Sequence, residues 1–138
     1  KKDLKIGKAK FDTTGEDGLL IATGETVQRA YLAAQLLNKK NIHPTVISMH
    51  TIKPFDAKTF LAESKKSKFI VSIEEHSIYG GLGEQCASLL AQHNINAKFR
   101  ILGIPDEYMI NGTQSDVLDY YNMSPEKISN TVISLIAK

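Results

Sequence analysis

Short apolar runs alternate along the chain with longer segments in which apolar residues recur every three or four positions. Short β-branched runs are typical of buried strands, and the three-and-four spacing is typical of one buried helix face. The strand pattern fits residues 18–23, 45–49, 69–73 and 98–102. The helix pattern fits residues 26–40, 57–66, 83–93, 115–121 and 125–137. This alternation of strand and helix predicts an α/β fold.

Residues at the predicted boundaries support this division. Asp56 and Ser124 each precede a predicted helix, where a side-chain oxygen can accept a hydrogen bond from an exposed backbone N–H. Pro125 suits a first helical turn, because the N–H that it lacks would have no partner there. Pro44 suits the start of a strand, where a ladder hydrogen bond is not needed.

The order of the elements predicts how they assemble. Parallel strands need a crossover connection, so alternating strands and helices favour a largely parallel sheet with helices on both faces. We assign residues 18–138 to this domain. Residues 1–17 are interpreted as a linker or an edge strand, because Leu4, Ile6 and Phe11 could extend the sheet.

Composition limits the classes of function. The 138 residues suit one domain, and a hydrophobic fraction of 42% with 23% charged residues is that of a soluble globular protein. No apolar run approaches the roughly 20 residues that span a bilayer, so we expect no membrane partner. A net charge of +2 gives no reason to expect a nucleic-acid partner, and the lysine-rich first ten residues are interpreted as a solvated linker.

The segment at residues 72–84 (SIEEHSIYGGLGE) carries the densest candidate chemistry. Its polar residues leave a predicted strand, and Gly80, Gly81 and Gly83 lead into a helix whose free N–H groups favour an anion. The glycine spacing matches neither a dinucleotide-binding fingerprint nor a P-loop. Tight backbone packing at a strand-to-helix turn is therefore the favoured interpretation of these glycines.

Glu74 and Glu75 are interpreted as structural rather than catalytic. Consecutive strand residues point to opposite faces, so the two carboxylates are poorly placed to share a proton. We expect one to contact a neighbouring element and the other to face solvent. His76 could act as a base, but a loop anchor is favoured, and Cys86 is expected to pack in the core.

The cysteine and histidines add two further expectations. A single cysteine forms no internal disulfide, which fits a reducing cytoplasm. His43, His50 and His93 have no metal-ligand spacing with one another or with Cys86, so no metal site is expected.

Four loop motifs together resemble the C-terminal domain of the transketolase family, from about residue 7 to the end of the chain. The family includes transketolases, 1-deoxy-D-xylulose-5-phosphate synthases and the beta subunits of 2-oxoacid dehydrogenases. The motifs are residues 22–24 (ATG), 51–56 (TIKPFD), 74–76 (EEH) followed by 80–83 (GGLG), and 103–106 (GIPD). The histidine after the two glutamates and the Ile-Pro-Asp segment are more similar to the first two branches. Asn122 stands where relatives commonly carry glycine, and asparagine tolerates the left-handed conformation of such a turn.

The resemblance implies a three-layer α/β/α sandwich around a mixed, mostly parallel five-stranded sheet with one antiparallel strand. It also implies a complete enzyme that uses thiamine diphosphate and Mg²⁺ to transfer two-carbon ketol units between sugar phosphates. This chain is expected to hold no cofactor and no catalytic residue: residues 15–18 (GEDG) are not the family's metal-diphosphate motif, and the activating glutamate belongs to another domain. We therefore expect the isolated chain to be inactive.

The resemblance also implies partners. We expect Glu75, His76, Gly80, Gly81 and Gly83 to contribute to docking on the cofactor-binding domains or subunit of the same enzyme, or to contact an anion. The complete enzyme is expected to be a cytoplasmic homodimer. The alternatives are the same domain of a 1-deoxy-D-xylulose-5-phosphate synthase, of a 2-oxoacid dehydrogenase beta subunit or of a ferredoxin oxidoreductase. A stand-alone phosphate or nucleotide sensor is a further alternative.

Overall fold

A computed structural model of the chain describes residues 8–50, 55–77, 81–105 and 112–138, with the backbone alone at residues 76 and 77. Every helix and strand predicted from apolar spacing is present, with its ends shifted by up to four residues. The elements in these ranges are β1 (Lys10–Thr13), β2 (Gly18–Ala22), α1 (Thr26–Asn38), β3 (Pro44–Ser48), α2 (Ala57–Lys65), β4 (Phe69–Ser77), α3 (Leu82–Gln92), β5 (Lys98–Ile104), α4 (Gln114–Tyr120) and α5 (Pro125–Ala137).

The strands form one mixed sheet in the order β1-β3-β2-β4-β5. β2 pairs in parallel with both β3 and β4, and β4 pairs in parallel with β5. β1 pairs antiparallel with β3 at one edge of the sheet. The mixed, mostly parallel five-stranded sheet is therefore confirmed. The division of the chain between residues 17 and 18 stays a prediction.

The sheet separates two apolar cores, which gives the three-layer α/β/α sandwich. Along the central strand β2, Leu20 faces the core formed with α1 and α5, whereas Leu19 and Ile21 face the core formed with α2 and α3. Every residue of β2 is buried. A strand covered on both faces reads as a continuous apolar run, which is why this segment was recognisable in the sequence.

The predicted helix ends are confirmed where the structure describes them. Asp56 Oδ1 accepts a hydrogen bond from the Thr59 N–H at 3.2 Å, and Ser124 Oγ accepts one from the Lys127 N–H at 3.2 Å. Asn122 is left-handed, with φ of 71°. In the described part of the chain, no helix has the length and apolar character needed to cross a membrane.

β4 is the strand that differs most from its prediction. It was expected to end at residue 73 but continues to Ser77, so Glu74 and Glu75 lie within the strand and do not leave it. Its pairing with β5 shifts register between Ile73 and Ser77. The apolar pattern stops at Ile73 because the next two side chains are carboxylates, although the strand itself continues through them.

Candidate functional site

The carboxyl ends of the parallel strands β2, β3, β4 and β5 lie along one edge of the sheet, called here the carboxyl edge. In open α/β sheets this edge usually forms the ligand crevice. The N-termini of three helices also lie there, because α1 follows β2, α2 follows β3 and α3 follows β4. The carboxyl edge is therefore where binding or docking groups are expected to meet.

Glu74 caps the N-terminus of α3. Its side chain is 2% exposed, and its carboxylate accepts hydrogen bonds from the N–H groups of Leu82 and Gly83, both at 3.1 Å. These N–H groups have no partner within the helix, and a negative charge at a helix N-terminus is stabilising. The protein's own carboxylate thus occupies the N–H groups that the sequence indicated for an anion.

Glu75 makes the corresponding contact on the opposite face of the sheet. Its Oε1 accepts a hydrogen bond from the N–H of Glu25, the residue before α1, at 2.9 Å. The side-chain amide of Gln114, at the start of α4, lies 3.5 Å from the same oxygen. The prediction of opposite faces is confirmed. The expectation that one carboxylate would contact a neighbouring element and the other would face solvent is met in part, because Glu74 is buried, whereas Glu75 makes exposed hydrogen bonds to helix starts.

Glycines leave room for these two carboxylates. A Cβ atom at Gly81 would lie 2.3 Å from Glu74 Oε2, and one at Gly24 would lie 2.5 Å from Glu75 Oε2. Gly24 also has a φ of +56°, which disfavours other residues. A Cβ at Gly83 would lie 2.5 Å from Ile101 Cγ2 on β5.

The structure therefore divides the predicted site residues between two faces. Glu75 contacts the segments that begin α1 and α4, whereas Gly81 and Gly83 adjoin Glu74 and β5 on the α3 side. Gly80, the side chain of His76 and residues 51–54 lie outside the described residues. The grouping of the site residues as one docking loop stays a prediction.

Sequence reasoning missed Arg29, which ties α1 to α4. One guanidinium nitrogen donates to Asp119 Oδ1 at 2.6 Å and to the Met123 carbonyl at 3.0 Å. The other donates to Ser115 Oγ at 2.8 Å. These partners lie 86 to 94 positions away in sequence, so no local pattern signals the contact.

Cys86 is fully buried on α3, which confirms the prediction that it packs in the core. Burial raises the pKa of its thiol far above the ordinary value, and the negative charge of Glu74 raises it further. Because the thiolate is the reactive form, this thiol is unsuited to nucleophilic chemistry.

The described residues do not fit a metal-diphosphate group. In the described ranges, no cluster of three or more His, Cys, Asp or Glu side chains could hold a metal ion. The α3 N–H groups that could face a diphosphate already bind Glu74. No reaction step through such a group can be assigned to these residues.

A polar pocket of about 480 Å³ lies at the opposite, amino edge of the sheet, where residues 14–17 meet the end of α1. The ring of His43 contacts the side chains of Asn38 and Asn41 there, at 2.8 and 3.1 Å. This pocket is separate from the carboxyl edge and contains none of the residues of the predicted site.

The family described as transketolase, C-terminal domain, matches residues 7–128. A chain from Methanocaldococcus jannaschii, provisionally named as a transketolase C-terminal section, is 38% identical over 98% of this chain and 42% of its own length. One of the subunits of an apulose-4-phosphate transketolase from Phocaeicola vulgatus is 35% identical over 99% of this chain and 43% of its own length. A 1-deoxy-D-xylulose-5-phosphate synthase from Dehalococcoides mccartyi is 32% identical over 97% of this chain and 22% of its own length.

Solved structures share the fold. A split gene transketolase, described as an inactive beta4 tetramer, superposes with a TM-score of 0.88 at 24% identity over 97% of this chain and 44% of that chain. The chain thus spans less than half the length of these similar proteins, whereas nearly all of its own residues are matched.

Proposed function

The chain belongs to the transketolase C-terminal domain family, and from this membership we propose that it is the C-terminal assembly domain of a thiamine-diphosphate-dependent transketolase. The proposed enzyme transfers two-carbon ketol units between sugar phosphates. Its thiamine diphosphate and Mg²⁺ are held by other domains or by a partner subunit. The contribution of this domain is a rigid contact surface.

The observation that carries the proposal is the use of the two carboxylates at the carboxyl edge. Glu74 and Glu75 accept hydrogen bonds from the domain's own backbone on both faces of the sheet. Glu74 is 2% exposed and cannot leave the helix N–H groups that it satisfies without a large desolvation cost, so it is not available as an acid or base for substrate. Such a side chain makes the carboxyl edge more rigid and does not provide a catalytic group there.

The relation of this chain to its relatives also supports a modular role. It matches 43% of a relative whose name identifies it as one subunit of a transketolase. A domain that is matched almost end to end, yet forms under half of the longer protein, is expected to work together with the remainder. We propose that the remainder carries the cofactor.

The docking surface in this proposal includes Glu75, Gly81 and Gly83, together with His76 and Gly80. Glu75 fixes the exposed starts of α1 and α4, and the two described glycines keep α3 close to β4 and β5. Side chains and loops held on such a framework lose little conformational entropy on association, which favours binding. We further propose a cytoplasmic homodimer for the complete enzyme.

The second candidate is the same domain in a 1-deoxy-D-xylulose-5-phosphate synthase. It is favoured by the 32% identity to the Dehalococcoides mccartyi enzyme over 97% of this chain. The two candidates differ in substrate, because the synthase condenses pyruvate with an aldehyde phosphate. Assaying the complete enzyme with pyruvate and with a ketose phosphate as alternative donors separates them.

The glycine loop gives little support to a stand-alone phosphate sensor, because Glu74 already occupies the first N–H groups of α3. A thermal shift of the isolated chain with inorganic phosphate, sugar phosphates and nucleotides tests this alternative. A ligand raises stability only when the folded state binds it. We expect no saturable shift with any of them.

Reconstitution tests the proposed function directly. The chain is mixed with the separately produced cofactor-binding domains of the same enzyme, and complex formation is followed by titration calorimetry and ketol transfer. We expect a saturable complex, and activity that requires both components. Failure of the components to associate would overturn the assembly role.

A further inference from the structure

The polypeptide enters the sheet at its carboxyl edge. Lys10, the first residue of β1, pairs with Ser48, the last residue of β3, and β1 then runs antiparallel to β3. Ala9, immediately before β1, donates its N–H to Asp56 Oδ2 at 2.8 Å. Asp56 immediately precedes α2. The segment that leads into β1 is therefore attached beside the N-terminus of α2.

Asp56 carries out two tasks with different contacts. Its Oδ1 accepts from the Thr59 N–H at 3.2 Å, which is the helix cap. Its Oδ2 accepts from the Ala9 N–H and from the Thr59 hydroxyl, both at 2.8 Å. Capping alone does not need the contact with Ala9, which is 47 positions away in sequence.

This attachment is partly shielded from water. Asp56 is 6% exposed. The side chains of Ala9 and Phe55 both pack against the apolar core between the sheet and the α2–α3 layer. A charge-assisted hydrogen bond in such surroundings is stronger than one at an open surface. The contact therefore holds Ala9 beside the N-terminus of α2.

We propose that Asp56 is a positioning residue for the interdomain linker, and that the cofactor-bearing domains dock against the carboxyl edge on its α2 side. The proposal rests on the proposed function, and on the form of it in which a cofactor-bearing domain of the same polypeptide precedes this one. The Ala9–Asp56 contact fixes where the linker meets this domain, beside the N-terminus of α2. It thereby limits the orientations in which the two parts can meet.

Hydrogen exchange on this chain separates the linker contact from the helix cap. Ala9→Pro removes the N–H donor and leaves the Asp56–Thr59 cap, whereas Ala9→Gly keeps the N–H and serves as the matched control. We expect Ala9→Pro to accelerate exchange of the β1 amides about tenfold while α2 is unaffected. Asp56→Ala should accelerate exchange in both β1 and α2, whereas Asp56→Asn, whose single side-chain oxygen replaces only one of the two carboxylate acceptors, should restore protection in at most one of them.

A different result is expected if Asp56 only caps α2 and does not position the linker. In that case Ala9→Pro behaves as Ala9→Gly, and Asp56→Ala affects α2 alone. Either outcome would overturn the linker contact, whether or not the chain assembles with other domains.

The same variants in the complete enzyme test the effect on domain orientation. We expect Ala9→Pro to increase the radius of gyration in small-angle scattering and to lower the ketol-transfer rate, with Ala9→Gly unchanged. Faster β1 exchange with unaltered scattering and rate would leave the contact in place but overturn its positioning role. Absence of any complex would overturn the proposed function and, with it, this role for Asp56.

Discussion

Glu74 and Glu75 are consecutive residues of β4, yet their carboxylates hold helix ends on opposite faces of the sheet. Glu74 binds the first N–H groups of α3, and Glu75 binds the N–H that precedes α1. The alternation of side chains along a strand makes this possible, since neighbouring residues face opposite layers. Two adjacent residues thus join all three layers of the sandwich at one position.

Removing the Glu74 carboxylate should destabilise the domain. In Glu74→Ala the N–H groups of Leu82 and Gly83 lose their acceptor in a buried site, and each unsatisfied group of this kind costs about 1–3 kcal/mol. Urea unfolding should therefore show a free energy of unfolding lower by at least about 1 kcal/mol. The control Glu16→Ala changes an exposed carboxylate and should stay within about 0.5 kcal/mol of wild type. Equal effects of the two substitutions would contradict the capping role.

Gly81→Ala should destabilise the domain through the same contact. The added Cβ would lie 2.3 Å from Glu74 Oε2, so the carboxylate or the start of α3 must shift. The Glu74→Ala background has no carboxylate for the new Cβ to clash with. In that background, Gly81→Ala should therefore lower the free energy of unfolding by less than it does in the wild-type protein. A double-mutant cycle by urea unfolding measures this coupling. Additive effects would show that the two residues do not constrain each other.

Arg29→Lys should release α4 while the rest of the domain stays folded. Lysine has one nitrogen and cannot reproduce the planar fork that reaches Asp119, Ser115 and the Met123 carbonyl. Hydrogen exchange of the α4 amides should accelerate by about tenfold, because α4 buries only Val117 and Leu118. Gln28→Ala, a change at the exposed neighbouring position on α1, is the control. Unaltered protection of α4 in Arg29→Lys would refute the role of Arg29.

The contribution of Asp56 to stability should depend on pH in the acid range. Burial by itself would raise the pKa of Asp56, but hydrogen bonds from Ala9 and Thr59 and the charge of Lys8 lower it below the ordinary value of 3.8. A carboxyl group with a lowered folded-state pKa stabilises the fold above its unfolded pKa, and this contribution is lost as the pH falls through the folded pKa. The stability difference between wild type and Asp56→Asn should thus be constant from neutral pH to about 4 and shrink below 3.8. A difference that stays constant to lower pH would contradict this assignment.

The sequence was sufficient for features that depend on local pattern. Apolar spacing located the strands and helices, and the Asp56 and Ser124 caps followed from side chains that satisfy backbone groups nearby in sequence. The end of β4 was missed because Glu74 and Glu75 interrupt the apolar run, although both are hydrogen-bonded in place. A polarity pattern cannot distinguish a buried, satisfied carboxylate from one in a loop.

Features that depend on distant pairs could not be predicted. The contact of Arg29 with α4 and that of Ala9 with Asp56 join residues 47 to 94 positions apart. Neither pair belongs to a local motif, so only the folded arrangement brings them together. Glu74 lies only 8 and 9 positions from the N–H groups that it binds, but this spacing is not a local capping motif, so the sequence indicated an anion at the α3 N-terminus and not that the Glu74 carboxylate would supply it.

Titration calorimetry of the purified chain with thiamine diphosphate and Mg²⁺ tests the central claim most directly, because the claim is that the cofactor is held elsewhere. We predict no saturable binding heat at cofactor concentrations up to about 1 mM, where a specific site would be filled. Saturable binding with a dissociation constant in the micromolar range, by this chain alone, would contradict the account.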